Sequence, residues 1–135
     1  MANLEFCAAV REISSRLFPA GFDTSPHPPN SFLDLALHVA TTGRMCVTNA
    51  ETADHEFDSH ETWHHFRAWH DWCHLHGGHD FSLPGECAAV RMQHAMLAGL
   101  CGLDKQREWA PILTRQIIHD NFGDDAFCPA ALSAN

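Results

Sequence analysis

The chain has 135 residues, 45% of them hydrophobic and 19% charged, a balance that supports a packed core and excludes a disordered chain. Its formal charge is −9, and its eight Lys and Arg residues are scattered without forming a patch. Nucleic acid and anionic membrane surfaces are therefore excluded as expected partners, while cations are attracted. No apolar run reaches the length of a membrane span, and Met1 to Glu5 lack the charged and apolar regions of a signal peptide, so cytoplasmic residence is expected.

A single helical domain over 1–135 is the expected organisation, with enough residues to bury a core without a metal or disulfide as a precondition. Phe6, Val10, Ile13 and Leu17 recur at helical spacing, which predicts a helix from about Asn3 to Phe18, stopped at Pro19-Ala20-Gly21. The prolines of Asp23 to Asn30 predict a loop. Ser31 is placed to cap a second helix that ends at Gly43, with Asp34 three positions later. Met45 to Asp58 fits a short helix or an ordered loop equally well. A third helix runs from about Ser59 to His76 and stops at Gly77-Gly78. After a loop containing Pro84-Gly85, a fourth spans about Glu86 to Leu100. A fifth begins between Asp104 and Pro111 and closes at Gly123; beyond it the tail has little periodicity, with Phe127 as its one anchor. No alternating strand pattern appears, so the expected fold is all-α, a compact bundle of about five helices.

Six cysteines stand far apart without a C-x-x-C pair, which reads as buried free thiols. Trp63, Trp69, Trp72 and Trp109 read as core. The twelve histidines are the departure from ordinary composition, and seven of them, His55, His60, His64, His65, His70, His74 and His76, share one stretch.

At about 100° per residue, the third helix places Phe66, Trp69, Trp72 and Cys73 on one side, and His60, His64, Arg67, His70, Asp71 and His74 on an opposite arc. His70 and His74 are one turn apart, the spacing at which two imidazoles reach one ion. The pattern is H-D-x-x-H where the zinc motif has H-E-x-x-H, so Asp71 is the candidate catalytic base, with ligation or orientation of His74 as alternatives. On the fourth helix Glu86 and Gln93 project into the apolar stripe of Ala89, Val90, Met96, Leu97 and Leu100, with His94 at its edge. A buried carboxylate needs a partner or a cation. On the fifth helix Gln116 and Asp120 fall within the side set by Trp109, Ile112, Leu113 and Ile117, flanked by His119. The expected ligands are His70, His74 and Glu86, with a further group from His119 or Asp120; His64, Arg67, Gln93, His94 and Gln116 surround them. Glu61-Thr62-Trp63-His64 matches one E-x-x-H of a di-iron bundle, but its partner motif is missing.

The run Phe66 to His74, followed by Phe81 and Gly85-Glu86, resembles a domain of unassigned function found in phage and plasmid proteins. The resemblance covers about a third of the chain, chiefly Phe66 to Met96, and implies a shared site built from His70, Asp71, His74 and Glu86.

Two histidines and a carboxylate suit zinc hydrolysis and also non-haem iron(II) oxidoreductase chemistry. Asp71, beside the first ligand, favours a metal-dependent hydrolase acting on a small-molecule or peptide substrate. The alternative is a non-catalytic, acidic, histidine-rich metal-binding or interaction protein.

Overall fold

Four polar side chains set the helix starts. Asn3, Ser31, Ser59 and Ser82 each precede a helix, and their side-chain oxygens accept from the backbone N–H groups of Phe6, Asp34, Thr62 and Gly85 at 3.0–3.2 Å. Each satisfies a donor the helix cannot use itself. The computed structural model describes residues 2–52 and 56–128; His55 and the end of the tail lie outside the described residues.

The elements are α1 (Leu4–Leu17), β1 (Asp23–Ser25), α2 (Phe32–Thr42), β2 (Cys46–Thr48), α3 (His60–Gly77), α4 (Leu83–Cys101) and α5 (Leu103–Thr114), then a π-helical turn (Arg115–His119) and a last helical turn (Asp120–Phe122). Gly43 and Gly78 end α2 and α3 with φ of 70° and 67°, the left-handed conformation that glycine adopts without a Cβ penalty. The expected all-α bundle is the observed fold.

Three features differ from expectation. First, β1 and β2 pair in parallel, with Asp23 opposite Cys46 and Ser25 opposite Thr48, where a loop and an unassigned segment were expected. Strands of three residues are too short to show alternation, and the pairing depends on α2 carrying the chain back. Second, α4 starts at Leu83 rather than Glu86, because Pro84 in the first turn lacks only an N–H that would have no helical partner. Third, Cys87 and Cys128 form a disulfide with Cα atoms 5.4 Å apart, whereas six free thiols were expected. A pair 41 residues apart leaves no local signal; the fold joins them by returning the chain along α4. Cys7, Cys46, Cys73 and Cys101 are free. Cys128, not Phe127, anchors the tail, since Phe127 is 74% exposed.

The main core gathers Phe6 and Val10 of α1, Phe66, Trp69 and Cys73 of α3, Val90 and Leu97 of α4, and Trp109 and Leu113 of α5. Phe6 meets Trp109 edge-on at 5.7 Å. Each fully buried large apolar side chain contributes roughly 1.5–3 kcal/mol of transfer free energy. A second cluster packs Leu35, Met45 and Val47 against Ala68 of α3. Helix α3 is therefore covered on more than one side, and His70 and His74 are buried while His60 and His76 at its ends are exposed.

Candidate metal centre

His70 and His74 lie one turn apart on α3, and each is 1% exposed. Across from them, the first turn of α4 supplies Glu86, 9% exposed. Glu86 Oε1 stands 2.7 Å from His70 Nε2 and 2.7 Å from His74 Nε2, and the two Nε2 atoms are 3.0 Å apart. Three potential ligand atoms thus face one point.

The outer ring nitrogens decide what these atoms present. His74 Nδ1 lies 2.8 Å from the carbonyl oxygen of His79, which only accepts, so Nδ1 carries the hydrogen. His70 Nδ1 lies 2.8 Å from Gln93 Oε1, and the same reasoning places a hydrogen there. In the neutral tautomers both Nε2 atoms then turn lone pairs toward a carboxylate oxygen. Three buried acceptors cannot satisfy one another; a cation or a shared proton between them is required.

Electrostatics agree. Burial pushes the Glu86 carboxyl up, but the hydrogen bonds from His70 and His74 outweigh it and hold it at about 2. Burial opposes charge on His74, yet its hydrogen bond to Glu86 and that group's charge leave it above its ordinary value. For His70 burial prevails and lowers the imidazole. A lowered Glu86 beside a raised His74 is the pattern of a carboxylate paired with an imidazole that shares its proton.

Asp71 lies on the same two histidines: one ligand atom from each of His70, Asp71 and His74 lies within 4.8 Å of the others, a group that does not include Glu86. The Asp71 carboxyl is raised by burial, an effect that Arg67 opposes. Phe81 packs on the His74 ring at 4.6 Å. Gly85, next to Glu86, is buried, and a Cβ there would overlap the carbonyl of Asp80; the first turn of α4 thus lies directly against the loop that follows α3.

With donors about 2.1 Å from an ion, neighbouring ligand atoms are about 3.0 Å apart on one face of an octahedron and about 3.4 Å apart in a tetrahedron. The edges of 2.7, 2.7 and 3.0 Å are closer to the former, and small side-chain shifts reach either. The cluster is able to hold a metal ion.

Of the surrounding residues, Gln93 is fully buried on His70 as expected. His64 instead bonds the carbonyl of Ala50 at 2.9 Å, and His94 accepts from Gln106 at 3.0 Å. Gln116 is buried on the π-helical turn. Among the described residues, the group of close ligand atoms contains neither His119 nor Asp120. His119 lines another cavity with Glu56, Arg107 and Arg115, and Asp120 is exposed. Pro111 lies inside α5 and the helix widens into a π turn, so projection at a fixed angle from Trp109 fails beyond Arg115. Ile117 and Ile118 are both buried instead. The carbonyl of His79 and the space at Gly85 were not anticipated, and a backbone acceptor leaves no signal in residue type.

No family model, curated protein or solved structure matches this chain. Fold and site together define an all-helical bundle with a buried histidine–carboxylate cluster able to bind a metal ion. No helix among the described residues is long and apolar enough to cross a membrane.

Proposed function

We propose that this protein is a divalent-metal-dependent hydrolase whose ion is held by His70 Nε2, His74 Nε2 and the Glu86 carboxylate. The observation that carries the reading is the convergence of those three acceptor atoms within 3.0 Å of one another, with both outer ring nitrogens already committed to oxygen acceptors. A divalent ion held there supplies Lewis acidity and lowers the pKa of a water on its open side. Glu86, the most exposed of the three, marks the side on which water and substrate enter. Asp71, next in sequence to His70 and with its carboxyl raised by burial, is the candidate proton acceptor. Gln93 and the His79 carbonyl fix the ring orientations, as outer partners of metal-bound histidines do. The likeness of the Phe66–His74 run to the phage and plasmid domain supports the same four residues acting together.

The same donor set suits a second reading, an iron(II) centre of the two-histidine-one-carboxylate kind. Purified protein is stripped with chelator and given zinc or iron(II), then analysed for bound metal and for turnover of ester, phosphoester and peptide substrates. The expected result is one equivalent lost in His70→Ala and Glu86→Ala, with hydrolysis restored by zinc. Oxygen consumption restored only by iron(II) selects the second reading. A bound ion with neither activity selects a non-catalytic metal-binding protein, and no His70-dependent metal under any condition ends all three.

A further inference from the structure

We propose that the face of α5 and its π turn that carries Arg107, Arg115 and His119 is a binding site for the phosphoryl group of a small organic phosphate, separate from the α3–α4 centre. These side chains, with Thr114, line one cavity of about 570 Å³. Arg107, Pro111, Arg115 and His119 follow one another at steps of four, the spacing that puts side chains on neighbouring turns of one helix face. In a regular helix, twelve residues would still carry His119 about 120° round the axis from Arg107. The π turn of Arg115–His119 advances by a smaller angle per residue, because its hydrogen bonds close a wider ring, and so brings His119 back toward Arg107. Basic groups that stand apart in the sequence are thereby gathered at one cavity.

The charges there are arranged for an anion. Two of the chain's eight Lys and Arg residues meet at the cavity, and the one acidic side chain among its lining residues, Glu56, is engaged by Arg115 at 2.9 Å. That contact holds the Arg115 guanidinium at the wall. Arg107, Thr114 and His119 have no hydrogen-bond or ion-pair partner among the described residues, so a guanidinium, a hydroxyl and an imidazole N–H can all donate to one group. Donors set on successive helical turns surround a tetrahedral phosphoryl group better than a planar carboxylate, and the arginine fork matches phosphate oxygens. Pro111 and Ile112 add apolar wall for an organic substituent, as small-molecule sites do beside their few polar groups. The net charge of −9 repels anions at a distance, but charges beyond about 8 Å are screened at physiological salt, which leaves the decision to the local groups.

The full chain is titrated by calorimetry with phenyl phosphate and, for comparison, with benzoate and with inorganic phosphate. One equivalent of phenyl phosphate is expected to bind, more tightly than either comparison anion. Arg107 is exposed, so Arg107→Gln leaves packing intact and is expected to weaken binding about tenfold through one lost charge-assisted contact. His119→Ala is expected to weaken it to a similar extent. Arg16→Gln removes the same charge at an ion pair on α1 outside the cavity and is expected to leave affinity unchanged, as is treatment with a chelator. No saturable binding of phenyl phosphate, equal affinity for benzoate or inorganic phosphate, unchanged affinity in Arg107→Gln or His119→Ala, or an equal loss in Arg16→Gln overturns the proposal. Loss of binding on chelator treatment places the phosphate on an ion at the α3–α4 centre and overturns it as well.

Discussion

His70 Nδ1 and Gln93 Oε1 lie 2.8 Å apart in the interior, which links a ligand on α3 to a fully buried amide on α4. The contact fixes both the ring plane and the tautomer of His70, and so the direction of the lone pair on Nε2. A neutral amide, unlike a carboxylate, does this without raising the basicity of the imidazole much.

Gln93→Leu is expected to lower stability by roughly 1–3 kcal/mol, since a buried N–H loses its acceptor. It should also weaken metal binding about 10–100-fold. Gln93→Glu is expected to tighten metal binding relative to Gln93→Leu by restoring an acceptor with charge. Competition with a chromogenic chelator measures both effects, and an unchanged Kd in Gln93→Leu would show that the amide does not position His70.

The metal-free protein should be most stable near the ordinary histidine value of 6.5. Burial holds His65, His70 and His94 below that value, so the unfolded chain takes up protons first and stability falls as the pH drops below it. Glu86, lowered from 4.5 to about 2, contributes above its unfolded value and loses its contribution toward pH 2. His74 is raised from 6.5; its contribution is complete below that value and disappears as the pH rises through its folded value. Metal affinity should change in the opposite sense, rising across the alkaline window as His74 gives up its proton. Urea unfolding of the metal-free protein from pH about 6.5 to about 8.5, with the metal association constant measured in parallel, tests the pair of slopes. Two slopes of the same sign would refute the assignment of the shared proton to His74.

The Cys87–Cys128 bond closes a loop whose ends are 41 residues apart in sequence. Cys128→Ser is expected to cost about 2–4 kcal/mol, chiefly through greater freedom of the unfolded chain. Wild-type protein treated with dithiothreitol should unfold at the same urea midpoint as Cys128→Ser. Identical midpoints for oxidised and reduced wild type would mean that the link contributes nothing to stability.

Local signals reach a definite distance in this protein. The caps Ser31 and Ser59, the stops at Gly43 and Gly78, and the apolar periodicity of α1 and α4 are all carried by residues within a few positions of one another, so the helices were legible. The polar residues Glu86 and Gln93, set in the apolar stripe of α4, correctly marked an inward-facing site, because a side chain's place on a regular helix follows from its number alone. The sequence also placed His70 and His74 on one turn-spaced pair. It could not show that a carboxylate 12 residues beyond His74 would meet both Nε2 atoms, since that depends on how α3 and α4 cross and on the close approach at Gly85. Asp120 is exposed rather than inward-facing, because beyond Pro111 the helix widens and the angle per residue on which the projection rests no longer holds. The β1–β2 pairing and the Cys87–Cys128 bond were likewise decided by chain return rather than local pattern. Local periodicity determined which side chains turn inward, and tertiary packing determined which of them meet.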